Sequence, residues 1–84
     1  MTEDQIRASV KEFIGRFFRG HDLRYDEDIF AVGFVNSMFA MQLVNFVERE
    51  FGVAVVDEDL DLENFRTVDA IAALVVRKRG GGGD

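Results

Sequence analysis

Two serines, Ser9 and Ser37, one histidine, His21, and no cysteine are the first side chains to weigh for covalent chemistry. Ser37 stands in the run Gly33-Phe34-Val35-Asn36-Ser37-Met38-Phe39-Ala40-Met41-Gln42-Leu43-Val44, where a loop meets an apolar helix. A nucleophilic serine needs a base, and the base needs a group to orient it. His21 lies upstream at the end of another helix, with no second histidine beside it, and reads as a surface or helix-end residue. Gly33 and Ser37 do not form the strand-borne G-x-S-x-G elbow. The acids Asp57, Asp59 and Asp61 open like a calcium loop, but Leu62 replaces the glycine of its sixth position and Val68 the glutamate of its twelfth. No metal site and no autonomous enzyme is expected. An exposed hydroxyl at a helix N-terminus instead lies beside unpaired N–H groups and the positive end of the macrodipole. An anion attached there, such as a phosphate ester, is stabilised. Ser37 therefore reads as an attachment point served by another enzyme.

Such a residue needs a scaffold, and 84 residues supply one small domain with about 60–70% of its unfolded surface to bury. Hydrophobic residues make up 48% and charged residues 31%, the balance of a globular chain. The net charge of −6 argues against nucleic acid, which needs a positive field. It suits partners with basic docking faces, and equally serves only to keep a small domain dispersed. Gln42 and Asn45 break the longest apolar run, so no membrane span is expected. The acidic start, Met1-Thr2-Glu3-Asp4-Gln5, lacks a secretory pattern, which makes a cytoplasmic location the expectation.

Four helical segments would position Ser37. Thr2 and Gln5 form a capping box for a first helix reaching about Arg19, with Ile6, Val10, Phe13, Ile14, Phe17 and Phe18 on its core face. Gly20 to Asn36 is a long loop, polar first and then apolar from Ile29 to Val35, whose second half should pack onto the core. A second helix runs from Ser37 to Phe51, with Asn36 as N-cap and Gly52 as its stop. Ala40, Leu43, Val44, Val47 and Phe51 cluster on one face, flanked by Phe39, Met41 and Phe46. Met38, Gln42, Asn45 and Arg49 form the opposite, exposed stripe, and a soft methionine there suits recognition. Val53-Ala54-Val55-Val56 alternates like a strand but has no partner strand, so it reads as an extended crossing that buries Val53 and Val55. A short turn near Leu62–Phe65 is anchored by Leu60, Leu62 and Phe65. Thr67 caps a last helix burying Val68, Ile71, Ala72, Leu74 and Val75, and Arg77-Lys78-Arg79 complement the negative end of its dipole. Gly80 to Asp84 reads as a flexible tail.

The run Asp28-Ile29-Phe30-Ala31-Val32-Gly33-Phe34-Val35-Asn36-Ser37-Met38, with the helix ending Glu48-Arg49-Glu50-Phe51-Gly52-Val53, resembles the acyl carrier protein family. The likeness spans about residues 3–78, including the long first loop and the short third helix. It implies an all-α four-helix bundle of three main helices and a short one. On that likeness residues 1–79 form the carrier domain and 80–84 the tail. It further implies that Ser37 receives 4′-phosphopantetheine from coenzyme A through a phosphopantetheinyl transferase, and that the arm's thiol carries acyl groups as thioesters. The chain would then be a non-catalytic carrier, acting as a monomer. Asn36, Met38, Gln42, Asn45 and Arg49 would present the partner face to loading and modifying enzymes and to an acyltransferase or ketosynthase. The acids from Asp57 to Glu63 would offer a second edge.

The family usually has Asp before the serine and Leu after it, where this sequence has Asn36 and Met38. Phe39 and Gln42 stand where fatty-acid carriers tend to have acids. The Phe-Val-Asn-Ser run and Asp59-Leu60-Asp61-Leu62-Glu63-Asn64-Phe65-Arg66 look closer to freestanding carriers of polyketide or mixed peptide–polyketide pathways, some of which carry unusual malonyl-type extender units. An aminoacyl or peptidyl carrier, and an unmodified helical adaptor, are the alternatives.

Overall fold

Residues 2–18, 20–31, 33 and 36–83 are described by the computed structural model, the last three of them for the backbone alone. The expected first-helix end at Arg19, the loop residues Val32, Phe34 and Val35, and Asp84 of the tail lie outside the described residues. Among the described residues there is no strand, and four α-helices follow one another: α1 (Glu3–Phe17), α2 (Ser37–Phe51), α3 (Leu62–Phe65) and α4 (Val68–Gly83). This is the four-helix architecture expected, with α3 a single turn.

Each main helix begins where a short polar side chain can satisfy its open N–H groups. Thr2 Oγ1 accepts from the Gln5 N–H at 3.1 Å, and Gln5 Oε1 accepts from the Thr2 N–H at 2.7 Å, the reciprocal box at the head of α1. Thr67 Oγ1 accepts from Ala70 N–H at 2.9 Å at the head of α4. The α2 helix ends at Gly52, whose φ of +67° places it in the left-handed region where a side chain is strained.

The core is apolar throughout. Ile6, Val10 and Ile14 of α1 meet Val68, Ile71, Ala72, Leu74 and Val75 of α4, all buried. Arg7 ties the two helices together at the rim: its Nε donates to Asp69 Oδ1 at 2.7 Å, while its terminal nitrogens hold Asp4 and Glu3, each at 2.9 Å. Phenylalanine rings join α1 to α2. Phe13 stacks on Phe46 with centroids 4.2 Å apart, and Phe18 meets Phe39 edge-on at 5.0 Å. Offset and edge-on pairs of this kind add to the area they bury.

Several burial expectations are corrected. Phe17 is 45% exposed, because α1 ends at that residue and its ring lies across the bundle's edge against Phe13 and Phe39. On α2 the buried line is Phe39, Leu43, Val47 and Phe51, whereas Ala40 and Val44 are half-buried and Met41 is 68% exposed. The rings of α1 cover the Phe39 side of the helix, which rotates the buried arc away from Ala40. Leu60 and Leu62 are both more than half exposed, because a one-turn helix offers the core a single residue, here Phe65. The crossing is extended as expected, but Val53 and Val55 are half-buried against the core, not fully buried.

The acids after it hold structure. A 3-10 turn at Asp57–Asp59 precedes α3. Asp59 Oδ2 accepts from Val56 N–H at 3.0 Å and from Lys78 Nζ at 2.5 Å, and Asp61 caps α3. Glu63 pairs with Arg66 at 3.1 Å. Three of the five acids of this edge, Asp59, Asp61 and Glu63, are therefore engaged within the fold. Lys78, read as a dipole partner, is instead the cation that ties α4 to this turn. The backbone of α4 is helical through Gly83, beyond the Gly80 boundary that the sequence marks.

The bond from Lys78, followed by that from Val56 N–H, holds the Asp59 carboxyl below the usual carboxylate range. A depressed folded-state pKa contributes stability above the unfolded value of about 3.9, and that contribution is lost as pH falls through the folded value. Asp59→Asn should therefore lower the urea midpoint near neutral pH, with the gap to wild type closing as pH drops below about 4. A gap of constant size across that range would contradict this role. Leu43→Ala, at a fully packed site, should cost about 2–5 kcal/mol in the same assay.

Candidate functional site

The site begins with the loop that feeds α2. Leu23 and Ile29 are its buried anchors, and Ile29 N–H donates to the Arg66 carbonyl at 2.9 Å. Asp69 N–H donates to the Tyr25 carbonyl at 3.0 Å, so the loop is sewn to the start of α4 at two points. Inside the loop, Asp28 Oδ1 accepts from the N–H groups of Phe30 and Ala31 at 2.9 and 3.1 Å. Arg66 Nε lies 3.5 Å from Asp28 Oδ2, near enough for attraction but not directed as a hydrogen bond. Gly33, with φ +78°, donates to the Phe30 carbonyl at 3.1 Å and bends the chain towards α2.

Asn36 then caps α2 as expected. Its Oδ1 accepts from Phe39 N–H at 2.9 Å and its carbonyl accepts from Ala40 N–H at 2.9 Å. Among the described residues, the N–H groups of Ser37 and Met38 have no acceptor, and the Ser37 hydroxyl has no hydrogen-bond partner. Ser37 is exposed, and no acidic residue stands in the first turn of α2. An anion carried on Ser37 Oγ would meet two open donors and the positive end of the dipole with no carboxylate of that turn to repel it.

His21 is engaged elsewhere. Its Nε2 lies 2.9 Å from Glu27 Oε2. Glu27 also accepts from Arg24 N–H at 3.1 Å, and this backbone bond, followed by the contact with His21, holds its carboxyl below the usual range. No described side chain lies within hydrogen-bond reach of Ser37 Oγ to serve as its base. Among the described residues, no group of three or more His, Cys, Asp or Glu side chains is arranged to hold a metal ion. No described helix is long and apolar enough to cross a membrane.

Of the remaining residues singled out in the sequence, Met38, Gln42, Asn45 and Arg49 all lie exposed along one face of α2. Gln42, Asn45 and Arg49 form one wall of a cleft of about 580 Å³, with Ser9, Glu12 and Arg16 of α1 opposite and Phe13 and Phe46 also lining it. Ser9 donates to Glu50 at 3.4 Å within the same cleft, which leaves Ser37 as the serine free of side-chain bonds. The stripe misses Met41. At 100° per residue Met41 falls between Ser37 and Asn45, and that angle is the signal that could have found it. Also missed is an apolar cleft of about 200 Å³ between α2 and α3, lined mainly by Phe30, Ala40, Leu43, Val44, Leu60 and Leu62. Helical spacing puts Ala40 and Val44 on the same side of α2 as Ser37, so this cleft opens beside the site.

A small helical bundle that presents a serine at the head of its second helix is the architecture of a carrier domain. The phosphopantetheine attachment site family matches residues 4–75, and the chain belongs to that family. It is a phosphopantetheine carrier, and its domain is the site of covalent 4′-phosphopantetheine attachment. Domains of this family are typically non-catalytic and interact with phosphopantetheinyl transferases and biosynthetic enzymes. No curated protein sequence matches the chain.

Replacing Asn36 by Ala removes the cap on Phe39 N–H. It should lower stability by about 1 kcal/mol, read as a shifted denaturation midpoint, while the far-ultraviolet circular dichroism of the native protein is retained. An unchanged midpoint would mean that the cap does not hold the start of α2.

Proposed function

We propose that Ser37 is the attachment residue of a discrete acyl carrier protein. The observation that carries this reading is the Ser37 hydroxyl itself: exposed, unbonded, at the capped start of α2, and inside the span matched by the attachment-site family. In the transfer, Ser37 Oγ attacks the pantetheine-bearing phosphorus of coenzyme A. An Oγ–P bond forms and the P–O bond to adenosine 3′,5′-bisphosphate breaks. The hydroxyl proton passes to a base on the transferase or to water. The attached arm supplies the thiol that this cysteine-free sequence lacks, and its thioester carries the cargo. Asn36 and the open N–H groups of Ser37 and Met38 fix and stabilise the phosphodiester end of the arm.

Residues 1–79 are the acyl carrier domain in this reading and 80–84 its tail. The protein acts as a cytoplasmic monomer. Met38, Gln42, Asn45 and Arg49, with Asn36, are its docking face for loading enzymes and for an acyltransferase or ketosynthase. Cargo of the polyketide type, including malonyl-derived extender units, follows from the likeness of the Phe-Val-Asn-Ser run. The apolar cleft beside Ser37 supports an acyl group, since it offers a hydrocarbon lining. Asp61 also lines this cleft, and its carboxylate supports the alternative of an aminoacyl carrier by offering a partner for an ammonium group.

The test is the intact mass of apo protein incubated with coenzyme A, magnesium and a broad-specificity transferase, with Ser37→Ala in parallel. A single phosphopantetheine on the wild type and none on the variant is the expected result, with both proteins equally folded. An arm on the variant would move the attachment elsewhere. A folded wild type refused by two different transferases would favour the unmodified adaptor.

A further inference from the structure

The groove between α1 and α2 begins beside Ser37 and changes character along its length. Asn36 and Met38, the neighbours of Ser37 in the chain, line its first part with Phe17, Phe18, Phe39 and Gln42 around a cavity of about 290 Å³. Rings and a thioether make this part mainly apolar, and Phe17 stays 45% exposed there. Gln42 also lines the cleft of about 580 Å³ described above, so the two spaces share a wall and follow one another down α2. In the second part, two of the unengaged polar groups are amides. Gln42 and Asn45 are exposed, and their side chains bond to no other described residue. Phe13 and Phe46, stacked 4.2 Å apart, add an apolar lining. Four charges also line it, two of each sign. Glu12 pairs with Arg16 at 3.6 Å, Glu50 accepts from Ser9 at 3.4 Å, and Arg49 is exposed. Equal numbers of opposite charges give this cleft no net sign by which to select an ion.

We propose that the unloaded phosphopantetheine arm rests in this groove between α1 and α2. The inference rests on Ser37 being the attachment residue. The order of chemical groups carries it. Counted from the phosphodiester, the arm presents a dimethyl-substituted carbon with a hydroxyl beside it, then two amides, then the thiol. Counted from Ser37, the groove presents first rings and a thioether, then two side-chain amides. An arm laid along it buries its methyl groups against Phe17 and Met38 and pairs its amides with those of Gln42 and Asn45. Between phosphodiester and thiol the arm is uncharged, which suits a cleft without net charge. The cleft between α2 and α3 also opens beside Ser37, but its lining is hydrocarbon apart from Asp61, whose Oδ1 already caps α3. A carboxylate only accepts, so the carbonyls of the arm would lose water there without a partner. That cleft suits hydrocarbon cargo and this groove suits the arm. Because the arm is tethered, its effective concentration is in the millimolar range, and contacts too weak to hold a free molecule suffice. Before loading, then, the arm lies against α1 and α2, and a loading enzyme has to lift it out.

The test compares amide NMR spectra of isotope-labelled apo and arm-bearing protein, once intact mass shows the arm in place. Attachment should shift the side-chain NH2 signals of Gln42 and Asn45 and the backbone N–H of Phe17. The side-chain NH2 signals of Gln5 and Asn64 and the backbone N–H groups of Leu60 and Leu62 should stay where they are. A variant carrying both Gln42→Ala and Asn45→Ala has reason to fold, since both positions are exposed on a helix and Ala is the best helix former. In its arm-bearing form the Phe17 signal should fall back toward its apo position. Shifts confined to Ser37 and its chain neighbours, or falling on Leu60 and Leu62 instead, would overturn the inference and leave Ser37 as the acceptor. A Phe17 shift undiminished in the double variant would also overturn it, because the two amides would not be what holds the arm. Failure of the wild type to take the arm at all would overturn the carrier reading and this one with it.

Discussion

The first loop is pinned by two buried side chains, Leu23 and Ile29, and the position of Ser37 depends on those pins. Ile29 is fully buried, and its N–H is satisfied by the Arg66 carbonyl at the turn between α3 and α4. A loop of this length has many conformations to lose on folding. Burying Leu23 and Ile29 and bonding Tyr25 and Ile29 to the segment before α4 offsets that cost at the loop's middle and leaves its end close to the start of α2. The cap from Asn36 then does the remaining positioning locally. The site is thus held from two directions, by a long-range anchor and a short-range cap. That is why an exposed serine can stand at a defined place in so small a domain.

The scaffold and the site use different chemistry. The core between α1 and α4 is hydrocarbon alone, and the polar groups at its rim, Arg7 with Asp69 and Asp59 with Lys78, tie elements together at the surface. None of these groups faces Ser37, and no described residue gives it a base. The division accords with a carrier, whose acceptor hydroxyl must stay unreactive until an enzyme engages it. It also leaves the first turn of α2 without an acidic residue in a chain with sixteen of them.

Features encoded locally were legible in the sequence. The bounds of α2 follow from Asn36 and Gly52 at its ends, because caps act within one turn. The buried residues of α4 match the expected set for a similar reason: its apolar positions repeat at helical spacing, and of the large apolar residues only Val76 lies off that face. Features set by distant neighbours were not legible. Periodicity defines the apolar arc of α2 but not which part of it is covered. The rings of Phe13 and Phe18 cover the Phe39 side, leaving Ala40, Val44 and Met41 more open than expected. Leu60 and Leu62 line a cleft because α3 is too short to bury them. Leu23 gave no signal, being a lone apolar residue among polar ones whose burial depends on the loop's path. Of the site, the serine, its cap and the exposed stripe were legible, while the apolar cleft beside them arises from residues far apart in the chain.

The central claim is that the arm sits on Ser37 at the head of α2. The most direct measurement is fragmentation mass spectrometry of the loaded wild-type protein, mapping the added group along the peptide that spans the first loop and α2. The account predicts that every fragment containing Ser37 carries the phosphopantetheine and that fragments ending before it carry none. Phosphopantetheine on Ser9, or on any threonine or tyrosine, would contradict it.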